Sequence, residues 1–327
     1  MGVRATLCLH GHLAPTILLL GGQKCGSSSL WFDLMTHVAG TVKARPRAGS
    51  EPPFFAKEQH FFDDDERFRE GMPFYVSHYP TCTHSARARY AIDASPSYLF
   101  IPGTAARVHA EYVGHRRALR MIVILRNPTD RVLSWYGHVG TDRGHVNLSR
   151  DEFVYVSVRE MCACAAAYGL TADSDELWAS PCRELRPPLY DALTSGLYAP
   201  QIAEWLRWFP ASQIALVTFG GYVKRANKVL HDLAAFIGQG RRSGGAPAVH
   251  ARALAGASRI AAAHRNVRST KRTAFGAGAH AALTEFYRPH VDALIMLLQR
   301  PAAEHMFSTP FSPASALTAR GLVEGTM

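Results

Sequence analysis

The stretch that decides the fold runs from Thr16 to Leu30 and reads TILLLGGQKCGSSSL. Its apolar part, Thr16 to Leu20, predicts a buried β-strand, and the Gly/Ser/Lys loop that follows leads into a helix beginning near Ser28. Glycines let the backbone approach an anion, and successive backbone N–H groups converge on it at the positive end of the helix dipole. The pattern predicts a phosphate-binding loop, although a turn that merely connects a strand to a helix has a similar composition.

The position of the lysine separates two classes of phosphate-binding loop. In the loop of ATPases and kinases, GxxxxGK[ST], the lysine directly follows the second glycine. Counting from Gly21, the second glycine is Gly26, and Ser27 stands where that lysine would be. The lysine of this chain, Lys24, comes two residues before Gly26 instead. The loop therefore argues against an ATPase or a kinase.

A second segment, Arg120 to His138, reads RMIVILRNPTDRVLSWYGH. Its apolar run, Met121 to Leu125, predicts a parallel strand covered on both faces, and Pro128 then predicts the first turn of a helix. Arg126 stands at the carboxyl end of the strand, and Ser134 stands about two turns into the helix. Both side chains can face one ligand above the sheet, where open α/β sheets bind nucleotides.

These two segments resemble the nucleotide-binding motifs of sulfotransferases, which use 3′-phosphoadenosine 5′-phosphosulfate (PAPS). Members read KxGTT or KxGSS in the first loop, and RNPTDRVLSWY is similar to their 3′-phosphate motif. The resemblance implies that Arg126 and Ser134 bind the 3′-phosphate and that Lys24 is also catalytic, neutralising charge on the leaving oxygen. The residues that it assigns to the 5′-phosphosulfate are Lys24, Cys25, Gly26, Ser27, Ser28 and Ser29. It implies 3′-phosphoadenosine 5′-phosphate (PAP) as product and no metal ion.

A third segment, Lys57 to Asp63, reads KEQHFFD. It resembles the [KN]E-x-HFFD signature of glycan-directed sulfotransferases, especially the heparan sulfate N- and 3-O-sulfotransferases. The resemblance implies that Glu58 is the catalytic base and that His60 and Asp63 line the acceptor site. An acceptor hydroxyl or amine must lose a proton as it attacks sulfur, and a positioned carboxylate can take it. The alternatives are an exposed loop carboxylate for Glu58 and a packed core histidine for His60.

The resemblance extends from about Pro15 to Leu298, with its motifs in the family's order. The further matching segments are DASPSYL from Asp93, GLYAPQIAEWLRWFP from Gly196, QIALVTF from Gln213 and EFYRPH from Glu285.

Two departures from the family pattern concern the acceptor and the late substrate loop. Ala94 stands where the glycan enzymes have a lysine in EK[ST]P, so a cation that helps the acceptor or the transferring sulfonate in those relatives is missing, which leaves the acceptor open. The late loop, Asn266 to Phe275, reads NVRSTKRTAF without the usual cysteines and glycine. Its candidate PAPS contacts are Arg268, Lys271 and Arg272, and a solvated basic loop is the alternative.

Alternating strands and helices predict an α/β fold with a mainly parallel sheet and helices on both faces, a P-loop-like sulfotransferase fold. Residues 1–14 are predicted to form an N-terminal extension, 15–300 one sulfotransferase domain and 301–327 a loosely ordered tail. Besides the elements named above, the predicted strands are Tyr90–Asp93 and Gln213–Phe219, and the predicted helices are Glu152–Tyr168, Asp191–Phe209 and Lys224–Ile237.

Composition fits an enzyme that handles anions. The 327 residues carry a formal net charge of +10, which favours capture of anionic substrates. The sequence has no zinc-finger spacing, RNP-like aromatic string or long basic run, which predicts no nucleic-acid partner. The sixteen histidines are scattered without metal-ligand spacing, which predicts no structural metal.

The sequence leaves the cellular location open. Met1 to Ala14 makes a poor signal peptide, and no stretch approaches the roughly 20 apolar residues that span a bilayer. The expected location is the Golgi lumen if an anchor is missing from this chain, and otherwise the cytoplasm as a soluble protein. Cys162, Cys164 and Cys182 lie close enough in sequence for one disulfide in an oxidising compartment, and reduced cysteines are equally compatible.

Together these observations predict a PAPS-dependent sulfotransferase acting on a glycan or another small hydroxyl or amine acceptor. Two alternatives remain open at this point. One is a P-loop kinase of a small metabolite, which needs a magnesium-binding acid at a strand end. The other is a catalytically silent relative that binds PAP without transferring sulfonate.

Overall fold

The structure, a computed structural model, describes residues 6–45, 56–82, 89–141, 146–185, 187–238 and 274–299. Its strands are β1 (Cys8–Leu9), β2 (His12–Leu13), β3 (Pro15–Gly21), β4 (Thr41–Val42), β5 (Tyr90–Asp93), β6 (Arg120–Leu125) and β7 (Ile214–Thr218). Its helices are α1 (Ser27–His37), α2 (Asp65–Arg69), α3 (Gly71–Ser77), α4 (Thr104–Glu111), α5 (Pro128–Trp135), α6 (Arg150–Ala167), α7 (Cys182–Leu185), α8 (Pro187–Thr194), α9 (Tyr198–Trp208), α10 (Phe219–Lys224), α11 (Ala226–Gly238) and α12 (Ala277–Leu298).

The fold is organised by a parallel sheet of five strands in the order β4-β5-β3-β6-β7, flanked by helices. Every residue of β3 and β6 is buried, which explains their continuous apolar sequences. Because β5 and β6 lie on opposite sides of β3, chain connections leave the carboxyl end of the sheet in two directions around β3. A crevice at such a position is where open α/β sheets bind ligands.

The predicted α/β class with a mainly parallel sheet is confirmed. The four predicted strands correspond to β3, β5, β6 and β7, and their ends agree within one residue. The helix after β6 begins at Pro128, as predicted, and the Asn127 side chain caps it by accepting a hydrogen bond from the Asp130 N–H at 3.2 Å. A capping box of Ser149 and Glu152 starts α6 two residues earlier than the sequence predicts.

One predicted helix, Asp191–Phe209, is wrong as a single element. The structure divides it into α8 and α9, with a break around Gly196. Pro200 has no N–H to donate to the preceding turn, so it fits only in the first turn of a new helix, where it lies. A side chain on Gly196 would also come within 2.9 Å of the Tyr287 ring, so the break lets α12 pack closely.

Two disulfides connect cysteines that lie 18 and 74 residues apart in the sequence. Cys164 and Cys182 pair, which is one of the pairings that the sequence left open, and Cys162 is free. Cys8 pairs with Cys82 across 74 residues, a bond that the sequence did not predict. The second disulfide attaches the β1–β2 hairpin, within the predicted N-terminal extension, to the end of the segment that follows α3.

The apolar side chains form two cores. The first surrounds the parallel sheet and includes α1, α9 and α11. The second lies among α5, α6, α8 and the first half of α12. The last turns of α12 belong to the first core, through Leu294 and Leu298, so this helix joins the two. The division of the chain into one domain with two terminal segments stays a prediction, and residues 301–327 lie outside the described ranges.

Candidate active site

The phosphate loop predicted from the sequence lies between β3 and α1, at the centre of the sheet's carboxyl edge. Gly26 is the N-cap of α1 with φ +96°, and no side chain caps the helix. The first helical bond runs from the Leu30 N–H to the Gly26 carbonyl oxygen, at 3.1 Å. The N–H groups of Ser27, Ser28 and Ser29 precede that bond and so have no acceptor within the helix. They form an anion-binding end.

Backbone hydrogen bonds hold the loop against the neighbouring strand. The Gly22 N–H donates to the Ile124 carbonyl oxygen of β6 at 2.7 Å, and the Cys25 N–H donates back to Gly22 at 3.1 Å. Lys24 lies at the top of this turn, half-buried, with φ +65°. A left-handed backbone conformation is unfavourable for lysine, so the tight turn, and not the preference of the residue, sets the direction in which the Lys24 side chain leaves the backbone.

Cys25 is the buried residue of the loop and contacts Tyr198. Its thiol is fully buried and lies 3.4 Å from the Tyr198 hydroxyl, which in turn donates to the Arg126 carbonyl oxygen at 3.0 Å. Burial raises the pKa of the Cys25 thiol, so it stays protonated at neutral pH. The three residues form a chain of contacts from the phosphate loop to the end of β6.

The arginine that follows β6 lies beside the same loop. The Arg126 guanidinium sits over the Phe219 ring, 5.0 Å from its centroid, and 3.6 Å from the Asp130 carboxylate. Its Nε is buried and has no hydrogen-bond partner among the described residues. Phe219 also touches Gly26, where an added Cβ would come within 2.7 Å of the ring. Ser134 is buried on α5. Arg126 and the phosphate loop are therefore brought together, with Phe219 between them.

The turn after β5 makes a close backbone approach on the other side of the loop. A Cβ on Gly21, whose φ is +109°, would lie 2.2 Å from the Pro96 carbonyl oxygen, so only glycine fits there. The Leu99 N–H donates to the Leu20 carbonyl oxygen at 3.0 Å. The DASPSYL segment is thereby fixed against the strand that carries the phosphate loop.

The predicted base, Glu58, lies in a cluster of charged side chains. Lys57 is almost fully buried and its ammonium donates to Glu58 Oε1. His60 Nε2 lies 3.4 Å from Glu58 Oε2, and His60 Nδ1 lies 3.0 Å from Asp63 Oδ2. The Ser97 hydroxyl donates to the same Asp63 oxygen. The structure thus brings together Glu58, His60 and Asp63 as the sequence predicts, and it adds Lys57 and Ser97.

These contacts set the protonation states of the two central groups. Burial raises the pKa of the Glu58 carboxyl, but the hydrogen bond from His60 and the charge and hydrogen bond of Lys57 outweigh it and lower the pKa to about 2. Burial lowers the pKa of His60, but its bonds to Asp63 and Glu58 outweigh that effect and raise the pKa to about 10. At neutral pH the pair is a carboxylate and an imidazolium.

A cleft opens beside Glu58. Its walls include the rings of Phe61, Phe74 and Tyr75 and the side chain of Arg67. Phe61 stacks on Tyr75 with ring centroids 4.5 Å apart, and Arg67 donates to the Gln59 carbonyl oxygen at 2.6 Å. Phe61 and Tyr75 are almost fully buried, so their rings belong to the core beneath the cleft.

Comparison with known families shows to which family this chain belongs. The sequence model of the sulfotransferase domain matches residues 14–245, a range that contains the phosphate loop, the Glu58 cluster and Arg126. The chain belongs to the sulfotransferase domain family. Members of this family use PAPS as the sulfonate donor.

Similar sulfotransferases include enzymes named for heparan sulfate. A bifunctional heparan sulfate N-deacetylase/N-sulfotransferase 4 of Mus musculus is 26% identical over 219 residues, covering 65% of this chain and 21% of the mouse enzyme. A heparan sulfate glucosamine 3-O-sulfotransferase 5 of Homo sapiens is 24% identical over 203 residues, covering 62% of this chain and 47% of the human enzyme. The chain therefore matches between about a fifth and about half of these relatives' lengths.

A solved sulfotransferase shares the fold. The crystal structure of a sulfotransferase from Alicyclobacillus acidocaldarius superposes with a TM-score of 0.56 at 24% identity, covering 89% of this chain and 98% of that chain. At this identity the likeness concerns the architecture alone. It agrees with the parallel five-stranded sheet described above.

Three of the predicted site residues belong to the late loop. Arg268, Lys271 and Arg272, the candidate PAPS contacts of the late loop, lie outside the described residues. Their roles stay predictions, as do the roles of the residues that are described.

Other site residues were not singled out from the sequence. Tyr198 and Phe219 contact both the phosphate loop and Arg126, and Ser97 binds the His60–Asp63 pair. The signal for Phe219 was its position directly after β7, at the same sheet edge as Arg126. Tyr198 had no such signal, because it reaches the site from the start of a helix far along the chain.

The described residues also bear on the metal and membrane expectations. Among them, no group of three or more His, Cys, Asp and Glu side chains is arranged to hold a metal ion. Asp93, the strand-end acid that a kinase would need, is fully buried and accepts hydrogen bonds from Tyr75, Ser95 and Tyr98. No helix within the described ranges is long and apolar enough to cross a membrane.

Proposed function

We propose that this sulfotransferase moves the sulfonate group of PAPS to a hydroxyl or amine of a carbohydrate. The observation that carries the proposal is the joining of two motifs. The Glu58 loop is hydrogen-bonded to the segment after β5, and Pro96 of that segment touches Gly21 at the start of the phosphate loop. A carboxylate is thus held at the same edge of the sheet as an anion-binding helix end.

The residues present suit the nucleotide. The free N–H groups at the start of α1, with the serine hydroxyls and Lys24, would hold the 5′-phosphosulfate, and Arg126 with Ser134 would hold the 3′-phosphate. The buried Arg126 Nε without a described partner supports this assignment, because a buried guanidinium N–H needs an acceptor. When bound, PAPS supplies an activated sulfonate group and a phosphate leaving group.

Glu58 is the proposed base. Its pairing with Lys57 and His60 keeps it ionised, which is the form that accepts a proton. The same pairing makes it weakly basic. The acceptor proton therefore moves to Glu58 only as the attack on sulfur develops and the acceptor oxygen or nitrogen becomes acidic. His60 stays positively charged and orients the carboxylate.

Two observations support a carbohydrate acceptor. The similar enzymes named above are described as heparan sulfate enzymes. The cleft beside Glu58 also includes Arg67, whose guanidinium suits an acceptor that carries an acidic group. Ala94 is fully buried, and its N–H donates to the Lys57 carbonyl oxygen at 2.9 Å. Ala94 itself carries no charge, and the buried cation at this position of the site is the Lys57 ammonium.

Lys24 is proposed to neutralise charge on the leaving phosphate oxygen. Loss of one such donor costs about 10²–10³ in turnover, because the developing charge is then stabilised less. Lys24→Ala should therefore lower kcat by about that factor with little change in the melting temperature. Full turnover of Lys24→Ala at saturating PAPS would show that this role is wrong.

The deciding experiment is calorimetric titration of the full chain with PAP and with ATP, for the wild type and for Arg126→Ala. Binding of PAP alone, lost in the variant, supports the proposal and leads to transfer assays with labelled PAPS on glycan acceptors. Binding of ATP with magnesium-dependent turnover would contradict the proposal and support a P-loop kinase instead. PAP binding without transfer to any acceptor would identify a silent relative instead.

A further inference from the structure

Asp93, the last residue of β5, is a fully buried carboxylate that the proposed mechanism does not use. Four donors converge on it. The Tyr75 and Tyr98 hydroxyls donate to Oδ2 at 2.8 and 2.7 Å, while the Ser95 hydroxyl and the Gln59 N–H donate to Oδ1 at 2.7 and 3.4 Å. A buried carboxylate with this many donors is a fixed acceptor, not a group that contacts solvent or substrate.

Three of the four partners of Asp93 extend the network to the loop that carries the proposed base. The Gln59 N–H binds Asp93 directly, the His60 N–H donates to the Ser95 hydroxyl at 2.9 Å, and the Phe61 N–H donates to the Tyr98 hydroxyl at 3.0 Å. Three consecutive backbone N–H groups are thus bound by one side-chain network. The loop makes these bonds with side chains instead of a neighbouring strand or helix.

The loop needs such support because its conformation is unfavourable. His60 has φ +50°, the left-handed region that a non-glycine residue enters at a cost of about 1–3 kcal/mol. That conformation lets His60 reach Glu58 on one side and Asp63 on the other. Without the bonds to residues 59–61, the backbone at His60 would relax towards an ordinary region and the ring would leave the two carboxylates.

We propose that Asp93, acting through Ser95 and Tyr98, is a positioning residue that holds residues 58–61 in the one conformation in which Glu58 and His60 face the acceptor site. Its effect on transfer rests on the proposed function, whereas its effect on the His60 geometry does not. Asp93 contacts neither the acceptor nor the nucleotide. It acts by fixing backbone amides.

The test compares two buried tyrosines of the same aromatic cluster. Tyr98→Phe removes the hydroxyl that links Asp93 to the Phe61 N–H. Tyr112→Phe is the matched control, because Tyr112 is equally buried and donates to the Pro15 carbonyl oxygen at 2.7 Å, away from the loop. Asp93→Asn is the direct variant. Should it fail to fold, Tyr98→Phe decides.

Three quantities are measured on each full-length variant: the titration of the His60 imidazole by NMR, assigned with His60→Gln; the affinity for PAP; and the rate of sulfonate transfer. Around the His60 ring the charged groups are Glu58 and Asp63, with Lys57 behind Glu58. In Tyr98→Phe we expect the His60 pKa to fall from about 10 towards its ordinary 6.5 and transfer to slow by up to about a hundredfold, with PAP affinity unchanged. Tyr112→Phe should match the wild type in all three.

Retention of both the His60 titration and the transfer rate in Tyr98→Phe would overturn the proposal, as would equal changes in Tyr112→Phe. A wild type that transfers no sulfonate would refute the proposed function only, since the His60 titration still decides whether the network positions the loop.

Discussion

The substitution Gly26→Ala tests the geometry of the phosphate loop, and its cost can be worked out from two features. An alanine at φ +96° costs about 1–2 kcal/mol, because its Cβ crowds the backbone in the left-handed region. The new Cβ would also lie 2.7 Å from the Phe219 ring, where ordinary contact begins at 3.4 Å. The ring must therefore move by about 0.7 Å (3.4 − 2.7), an overpacking that costs about 1–3 kcal/mol.

The expected result is a folded protein that binds PAP poorly. The two contributions sum to about 2–5 kcal/mol, which is within the usual stability of a domain. Displacing Phe219 also displaces Arg126, which lies over its ring. We expect the affinity for PAP to fall at least about tenfold, equivalent to about 1.4 kcal/mol.

Gly103→Ala is the matched control. Gly103 is also a helix N-cap with a left-handed backbone, φ +83°, but a Cβ there would meet nothing within 4 Å. Urea unfolding should show the backbone cost in both variants and the overpacking cost in Gly26→Ala alone. Titration with PAP should find Gly103→Ala unchanged. The reasoning is refuted if both variants lose equal stability and both keep the wild-type affinity.

Two further perturbations address the charges and the disulfide. Because the pKa of His60 is raised, its charged form stabilises the fold fully below about pH 6.5, and this contribution is lost as the pH rises through about 10. The pKa of Glu58 is lowered, so its contribution is lost only as the pH falls from 4.5 through about 2. Urea unfolding at pH 7 and pH 10 should therefore show a loss on the order of 3–4 kcal/mol that His60→Gln abolishes, and an equal loss in that variant contradicts the assignment. Replacing Cys164 and Cys182 together by alanine should lower stability by about 3 kcal/mol, because the closed loop spans 18 residues, while Cys162→Ala should not; equal effects would count against the pairing.

The sequence predicts best those parts of the site that depend on local structure. Met121–Leu125 is a continuous apolar run that a doubly covered strand explains, and Pro128 fixes where the next helix starts. The position of Arg126 at the sheet edge follows from these two facts. The continuous helix Asp191–Phe209 was wrong because its apolar spacing continues through the break at Gly196, although Pro200 is a local signal for a new helix start; the Tyr287 ring that packs at the break lies far along the chain.

Contacts between distant segments could not be predicted in the same way. The Cys8–Cys82 bond joins residues 74 apart with no local signal for either partner. Asp93 looked like a strand-end acid, and only the packing of Tyr98 and Ser95 around it shows that it is an internal acceptor. The pairing of His60 with two carboxylates likewise depends on a backbone conformation that its sequence neighbours do not encode.

The position of α12 has a consequence for how the protein is made. The helix packs against α5, α6 and α9, yet its first residue follows the last residue of α6 by 110 positions (277 − 167) and lies beyond the segment that the family shares, 14–245. At roughly 5–20 residues per second, a ribosome needs between about 5 and about 20 s to cover that interval. During it, the apolar faces of α5 and α6 are without the partner that later covers them. Until α12 is synthesised, the second core therefore stays open to proteases on the nascent chain and offers apolar surface to a holdase chaperone.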